Sequence, residues 1–284
     1  MLLDSFTLTA VRRAKDYARE VARYHWDFYA ALSQQRTEKH QELKKSLLSA
    51  AEGPFTFEAW QRIVDYQYSL HPLSAAGSIL TDPGGRFNIG DIDRTRFPPF
   101  AALYLAEDRT TAMLERFGPP NESAGLSNLD FALRDKASFT CVSVSGQLDA
   151  ILDLRKPERL NAFVDVISEF KIPSDLVRRA RDLEESLPTI VRSVRELSEI
   201  VLHPEWRALP MRVDVPAASQ ILGQLVWGAG IEGVLFPSAK GGATCLAVFP
   251  ENLSPTSYVE LDDRAPAGVV HTRMDSNTSR NFVR

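Results

Sequence analysis

Cysteine and histidine are scarce in this chain, and no apolar run is long. There are two cysteines, Cys141 and Cys245, each inside an apolar strand-like stretch. A disulfide framework is thereby excluded, and two buried thiols fit a cytosolic protein. The five histidines, His25, His40, His71, His203 and His271, are scattered, and none forms a close pair at metal-ligand spacing. No metal is expected. Nothing approaches the about 20 consecutive apolar residues of a membrane span. The start, MLLDSFTLTAVRRAK, has Asp4 where a signal peptide is basic. A cytoplasmic protein of a bacterium, away from membranes, is the expectation. Also missing are a GxSxG elbow, a phosphate loop ending in GKS or GKT, and a dinucleotide GxGxxG. Those absences remove several enzyme classes but leave chemistry built on Arg, Glu, Tyr and Ser.

What remains is the composition of a globular protein, 44% hydrophobic and 25% charged. The net charge of −4 argues against broad binding to nucleic acid, which needs many Lys/Arg–phosphate contacts. It still allows a local basic pocket for a small phosphate ligand. A length of 284 residues accommodates one large domain or two moderate ones.

Residues 8–50 repeat apolar positions at helical spacing, from Val11 through Val21 and Tyr24 to Leu32. The stretch GPFTFEAWQRIVDYQYSL (53–70) reads as another helix, with Thr56 as cap and Glu58 in the first turn. Residues 1–65 are therefore expected to form a helical N-terminal module. From 66 to 265 strands mix with short helices: strands at 101–106, 138–146, 150–154, 233–239 and 243–250, and helices at 109–117, 157–170, 174–185, 188–202 and 219–229. Residues 266–284 are polar and rich in breakers, so they read as a flexible tail.

Four residues stand out. Arg86 follows the pair Gly84–Gly85 in GGRFNIG (84–90). Glycine is used where the backbone takes φ > 0 or makes a close approach, so Arg86 can reach a ligand from a fixed turn, or the segment is an ordinary loop. Tyr104 lies in the strand 101–106, where a core role is the plain alternative. Glu115 sits on the next helix, whose buried side is expected to be Met113, Leu114 and Phe117. Ser238 ends a strand beside Lys240–Gly241–Gly242, where a hydroxyl is commonly satisfied by local backbone.

In this order, GGRFN, then LYLAEDRTTAMLE, then SQILGQLVWGAGIEGVLFPSA (219–239), the chain resembles the RES domain family over residues 66–253. The resemblance implies an α+β fold, an ADP-ribosyltransferase-like mixed β core with flanking helices, beside the helical N-terminal module. It implies NAD+ as substrate, cleaved at the nicotinamide–ribose bond by water or by inorganic phosphate as co-substrate, with no metal. It also implies a toxin held by an antitoxin that carries a helix-turn-helix domain. Transfer of ADP-ribose to a protein is the alternative activity. Arg86, Tyr104, Glu115 and Ser238 are the counterparts of the family's site residues, and Gly84, Gly85, Phe87, Asn88, Ser219, Gln220 and Lys240 are expected to contact substrate.

Such a site makes chemical sense. Cleaving an N-glycosidic bond builds positive charge on the ribose, which a nearby carboxylate, here Glu115, stabilises. An arginine fork such as Arg86 matches phosphate oxygens at two points. Tyr104 can pack on the nicotinamide or ribose, Ser238 can donate to an oxygen, and Ser219 and Gln220 can meet phosphate at a helix N-terminus. Two departures from the family stand out. A second arginine is expected fifteen to twenty residues before the glycine pair, yet DYQYSLHP (65–72) offers Gln67, leaving Lys240 or Arg94 to supply the charge, or a nucleotide-binding module without turnover. The family's tryptophan after the motif arginine is Phe87. The charged helices between 157 and 202 suit a lid or a partner surface, and a homodimer is left open.

Overall fold

The computed structural model describes residues 8–119, 138–262, 265 and 268–283. Its frame is one eight-stranded sheet of β1 (Phe55–Asp65), β2 (Leu103–Ala106), β3 (Phe139–Leu148), β4 (Ile151–Asp153), β5 (Gly233–Pro237), β6 (Thr244–Val248), β7 (Tyr258–Leu261) and β8 (Arg273–Asp275). The spatial order is β4-β5-β6-β2-β1-β3-β7-β8. Only β4 and β5 run parallel; every other neighbour pair is antiparallel. Strand β6 is buried on both faces, with all five of its residues buried, whereas the long β1 is only partly covered.

Helices pack around this sheet: α1 (Leu8–Glu38), α2 (His40–Ala50), the single turn α3 (Gly77–Leu80), α4 (Arg109–Phe117), α5 (Asn161–Ser168), α6 (Ser174–Asp182), α7 (Val194–Val201), α8 (Ala208–Val213) and α9 (Ala218–Ala229). The result is the mixed α+β class expected, with a helical N-terminus. One core face joins α2, α5, α7 and α9 to the sheet through Leu47, Phe163, Leu197, Val226 and Phe249. The other gathers Phe57, Trp60, Leu103, Val144 and Val259. No helix among the described residues is long and apolar enough to cross a membrane.

Three expectations fail, for physical reasons. The segment expected to be a helix at 53–70 is mainly the long strand β1, so the helical part of the N-terminus ends at Ala50. Its aromatic and β-branched residues favour a strand, and the alternation is broken by a bulge that hides the period-2 signal. The pairing with β3 slips between Phe57 and Trp60, where Ala59 takes φ 57°. The tail read as flexible contributes β8, whose Met274 is fully buried, and Phe282, which joins the core. Lastly, α4 buries Thr111 and Ala112 rather than the Met113–Leu114–Phe117 side.

Candidate functional site

Strands β1 and β2 share one registered pair, Gln61 with Ala106, and residues of both line a cavity of about 280 Å³. Arg86, Tyr104 and Glu115 meet there, with Gly85, Arg62, Arg207, Trp206 and Cys245. A second cleft of about 840 Å³ shares Arg62, Gly85 and Tyr104 with the first and adds Gly84.

The loop that carries Arg86 is held from several sides. Gly84 takes φ 97°, a region that favours glycine, and a Cβ on Gly85 would fall 2.3 Å from the Tyr104 hydroxyl. That hydroxyl accepts the Phe87 N–H at 2.9 Å and donates to Asn88 Oδ1 at 2.9 Å, which also receives the Gly85 N–H. From α9, Gln220 Nε2 donates to the carbonyls of Pro83, Gly85 and Asn88 at 2.8–3.2 Å, while its Oε1 accepts the Ala217 N–H. Burial pushes the Tyr104 hydroxyl well above its ordinary value, so it stays a neutral hydrogen-bonding group.

Arg86 points one nitrogen at the end of α7, donating to the carbonyls of Val201 at 3.3 Å and His203 at 3.0 Å, where the helix presents unpaired carbonyl oxygens. Burial pulls its affinity for the proton down, while the charge of Glu115 raises it and that of Arg207 lowers it. On α4 the cap works as the sequence implies: Asp108 accepts the Thr111 N–H at 2.7 Å, and Gly118 stops the helix at φ 81°. Ala112 and Glu115, three residues apart, share the face that meets the cavity.

Ser238 closes the arrangement from the turn between β5 and β6. Its Oγ donates to Glu115 Oε1 at 2.6 Å and accepts the N–H groups of Lys240 at 3.2 Å and Gly241 at 2.8 Å. With its one proton committed to Glu115, Ser238 positions the carboxylate. Cys245 lies beside the pair, its thiol pushed up to about 12 by burial, and so remains a protonated wall.

Several residues expected to touch substrate are built into the scaffold instead. Phe87 is fully buried, its ring 4.7 Å from Phe236. Asn88 and Gln220 are fully buried and tie the glycine loop in place. Ser219 is buried, and among the described residues its hydroxyl has no hydrogen-bond partner. Lys240 reaches the Glu115 backbone carbonyl at 3.1 Å rather than the cavity, and Arg94 pairs with Asp91 at 2.6 Å. Among the described residues no group of three or more His, Cys, Asp or Glu is placed to hold a metal ion.

Missed from sequence were Arg62, Trp206 and Arg207. Arg62, five residues before Gln67, brings a guanidinium to the cavity wall. It projects from β1, donating to the carbonyls of Tyr104 at 3.4 Å and Ser74 at 2.6 Å, with its buried Nε unpaired. Reading 53–70 as a helix concealed it; read as a strand, WQRIV places this arginine between two cavity-lining neighbours, Gln61 and Ile63. Trp206 and Arg207 belong to the segment between α7 and α8 and carry no motif signal.

A mixed sheet whose glycine-turn arginine, strand tyrosine and hydroxyl-held glutamate share one cavity defines the class of protein to which this chain is to be compared. A family model described as RES domain matches residues 59–266, and the chain belongs to the RES domain family. No curated protein matches. Among solved structures, a chain of the M. tuberculosis MbcT–MbcA toxin–antitoxin complex is similar at a TM-score of 0.47 and 16% identity, over 85% of this chain and 97% of that one.

Proposed function

We propose that this protein consumes NAD+, cleaving the nicotinamide–ribose bond by phosphorolysis or hydrolysis. The observation that carries the reading is Glu115, locked by Ser238 and facing the same cavity as Arg86. As the bond breaks, nicotinamide leaves with the bonding electrons and positive charge develops on the ribose. Glu115 sits ready to stabilise it without reorganising, because its rotamer is already fixed by the Ser238 hydroxyl. The new bond forms from an oxygen of phosphate or, with loss of a proton, of water.

The two adjoining cavities, which share Arg62, Gly85 and Tyr104 in their walls, suit an extended substrate: a small chamber for the reacting sugar and a larger cleft for the rest of the dinucleotide. Arg62, which lines both, suits an anionic link between the halves. On the family resemblance, the partner is an antitoxin with a helix-turn-helix domain, tested by whether a neighbouring gene of that kind relieves growth arrest when the chain is expressed.

Incubation of purified protein with NAD+, with and without phosphate, followed by mass analysis, tests the activity. Nicotinamide release is expected, with ADP-ribose or its phosphate as the second product, falling at least about 10²-fold in Glu115→Ala. No release by the wild type, or equal release by the variant, rejects the reading.

A further inference from the structure

The smaller cavity carries more positive charge than its own residues neutralise. Arg62, Arg86, Arg116 and Arg207 line it against one carboxylate, Glu115. Arg116 is paired outside it with Asp65 at 2.7 Å. Three guanidinium groups against one carboxylate leave a surplus of two.

The least accounted for is Arg207. It is an exposed residue that lines the cavity, and among the described residues no hydrogen bond or ion pair engages its guanidinium. What fixes it is Trp206, which is buried, with the Arg207 Cζ 4.3 Å from its ring centroid and the Arg86 Cζ 5.9 Å from the same ring. One indole therefore presents two cations to one chamber. Arg86 spends a single nitrogen on the carbonyls of Val201 and His203, which leaves most of its fork for the cavity. Neighbouring like charges are costly without a counter-charge, and a fork with no acceptor is the arrangement that awaits an anion. The buried Nε of Arg62, which lines the same cavity and has no partner among the described residues, is an independent sign of a site for an acceptor.

We propose that Arg207, presented by Trp206, is a ligand-holding residue that completes with Arg86 a two-arginine grip on a phosphate group of the reactants. The phosphate belongs either to the diphosphate of the dinucleotide or to free inorganic phosphate. The inference rests on the NAD+ reading for its substrate and on the surplus charge for its chemistry.

Calorimetric titration of wild type and Arg207→Gln with inorganic phosphate, and separately with ADP-ribose, tests it without requiring turnover. Arg207 is exposed, so matched melting curves are expected and checked first. Wild type is expected to bind at least one of the two, and Arg207→Gln to bind it at least about tenfold more weakly. Weakening with phosphate alone assigns the grip to the acceptor; weakening with ADP-ribose alone assigns it to the diphosphate; both outcomes support it. Arg207→Lys keeps the charge without the planar fork and is expected to restore only part of the affinity. Affinities within twofold of wild type for Arg207→Gln, no binding of either probe by wild type, or full rescue by lysine overturns the proposal. Nicotinamide release by wild type is read in parallel: its absence rejects the enzymatic reading, while the titrations still decide the anion grip.

Discussion

Replacing Ser238 by alanine removes a single hydroxyl whose proton goes to Glu115 Oε1 at 2.6 Å. A hydrogen bond to a charged acceptor contributes about 1.5–3 kcal/mol. The two N–H groups that Ser238 receives, from Lys240 and Gly241, lie in a turn that water reaches, so the fold itself loses little. The cost falls on the carboxylate, which becomes free to rotate away from the developing charge. If all of it appears in the transition state, kcat for nicotinamide release drops about 10- to 150-fold, with KM nearly unchanged. Steady-state nicotinamide release measures it, and a double-mutant cycle with Glu115→Gln isolates the coupling. Because Ser238 acts through Glu115, the double variant is expected to be no slower than Glu115→Gln alone. A kcat within twofold of wild type for Ser238→Ala, or losses that multiply in the double variant, refutes the positioning role.

Tyr104→Phe orphans the Phe87 N–H at the glycine loop and is expected to lower stability by about 1–3 kcal/mol in urea titrations. Gln220→Ala strips the donor from three carbonyls of the same loop, with an expected cost of about 2–4 kcal/mol; a loss under about 0.5 kcal/mol would mean the clamp is idle. Burial holds His25 below its ordinary 6.5, only partly offset by Glu185. The unfolded chain therefore takes up a proton that the folded one resists. Stability at His25 is full above pH 6.5 and falls as the pH drops from there towards the lower folded value, so the urea midpoint of wild type should decline on acidification more than that of His25→Gln.

Local signals told most about α4 and the motif residues. Asp108, the apolar strand before it and Gly118 each act within a few residues, and the structure uses them as read. Arg86, Tyr104 and Glu115 were picked out by the resemblance of their motifs to the RES domain family, and they share a cavity. What sequence could not yield was decided by tertiary partners. Whether Gln220 meets a ligand or a loop depends on carbonyls some 130 residues away. The bulge at Ala59 disguised β1 and with it Arg62. Trp206 and Arg207 sit between short helices whose placement follows from packing, including that of Val213 against Val21 of α1.

Strand β2 is zipped to β6, Leu103 opposite Val248, and Glu115 waits on a hydroxyl from the turn just before that strand. Such distant pairing is slow to close. About 130 residues separate the glutamate from the end of β6, on the order of 10 s of ribosomal travel. The Glu115–Ser238 contact can therefore form only after the ribosome has passed the turn before β6, long after the glutamate itself has been added.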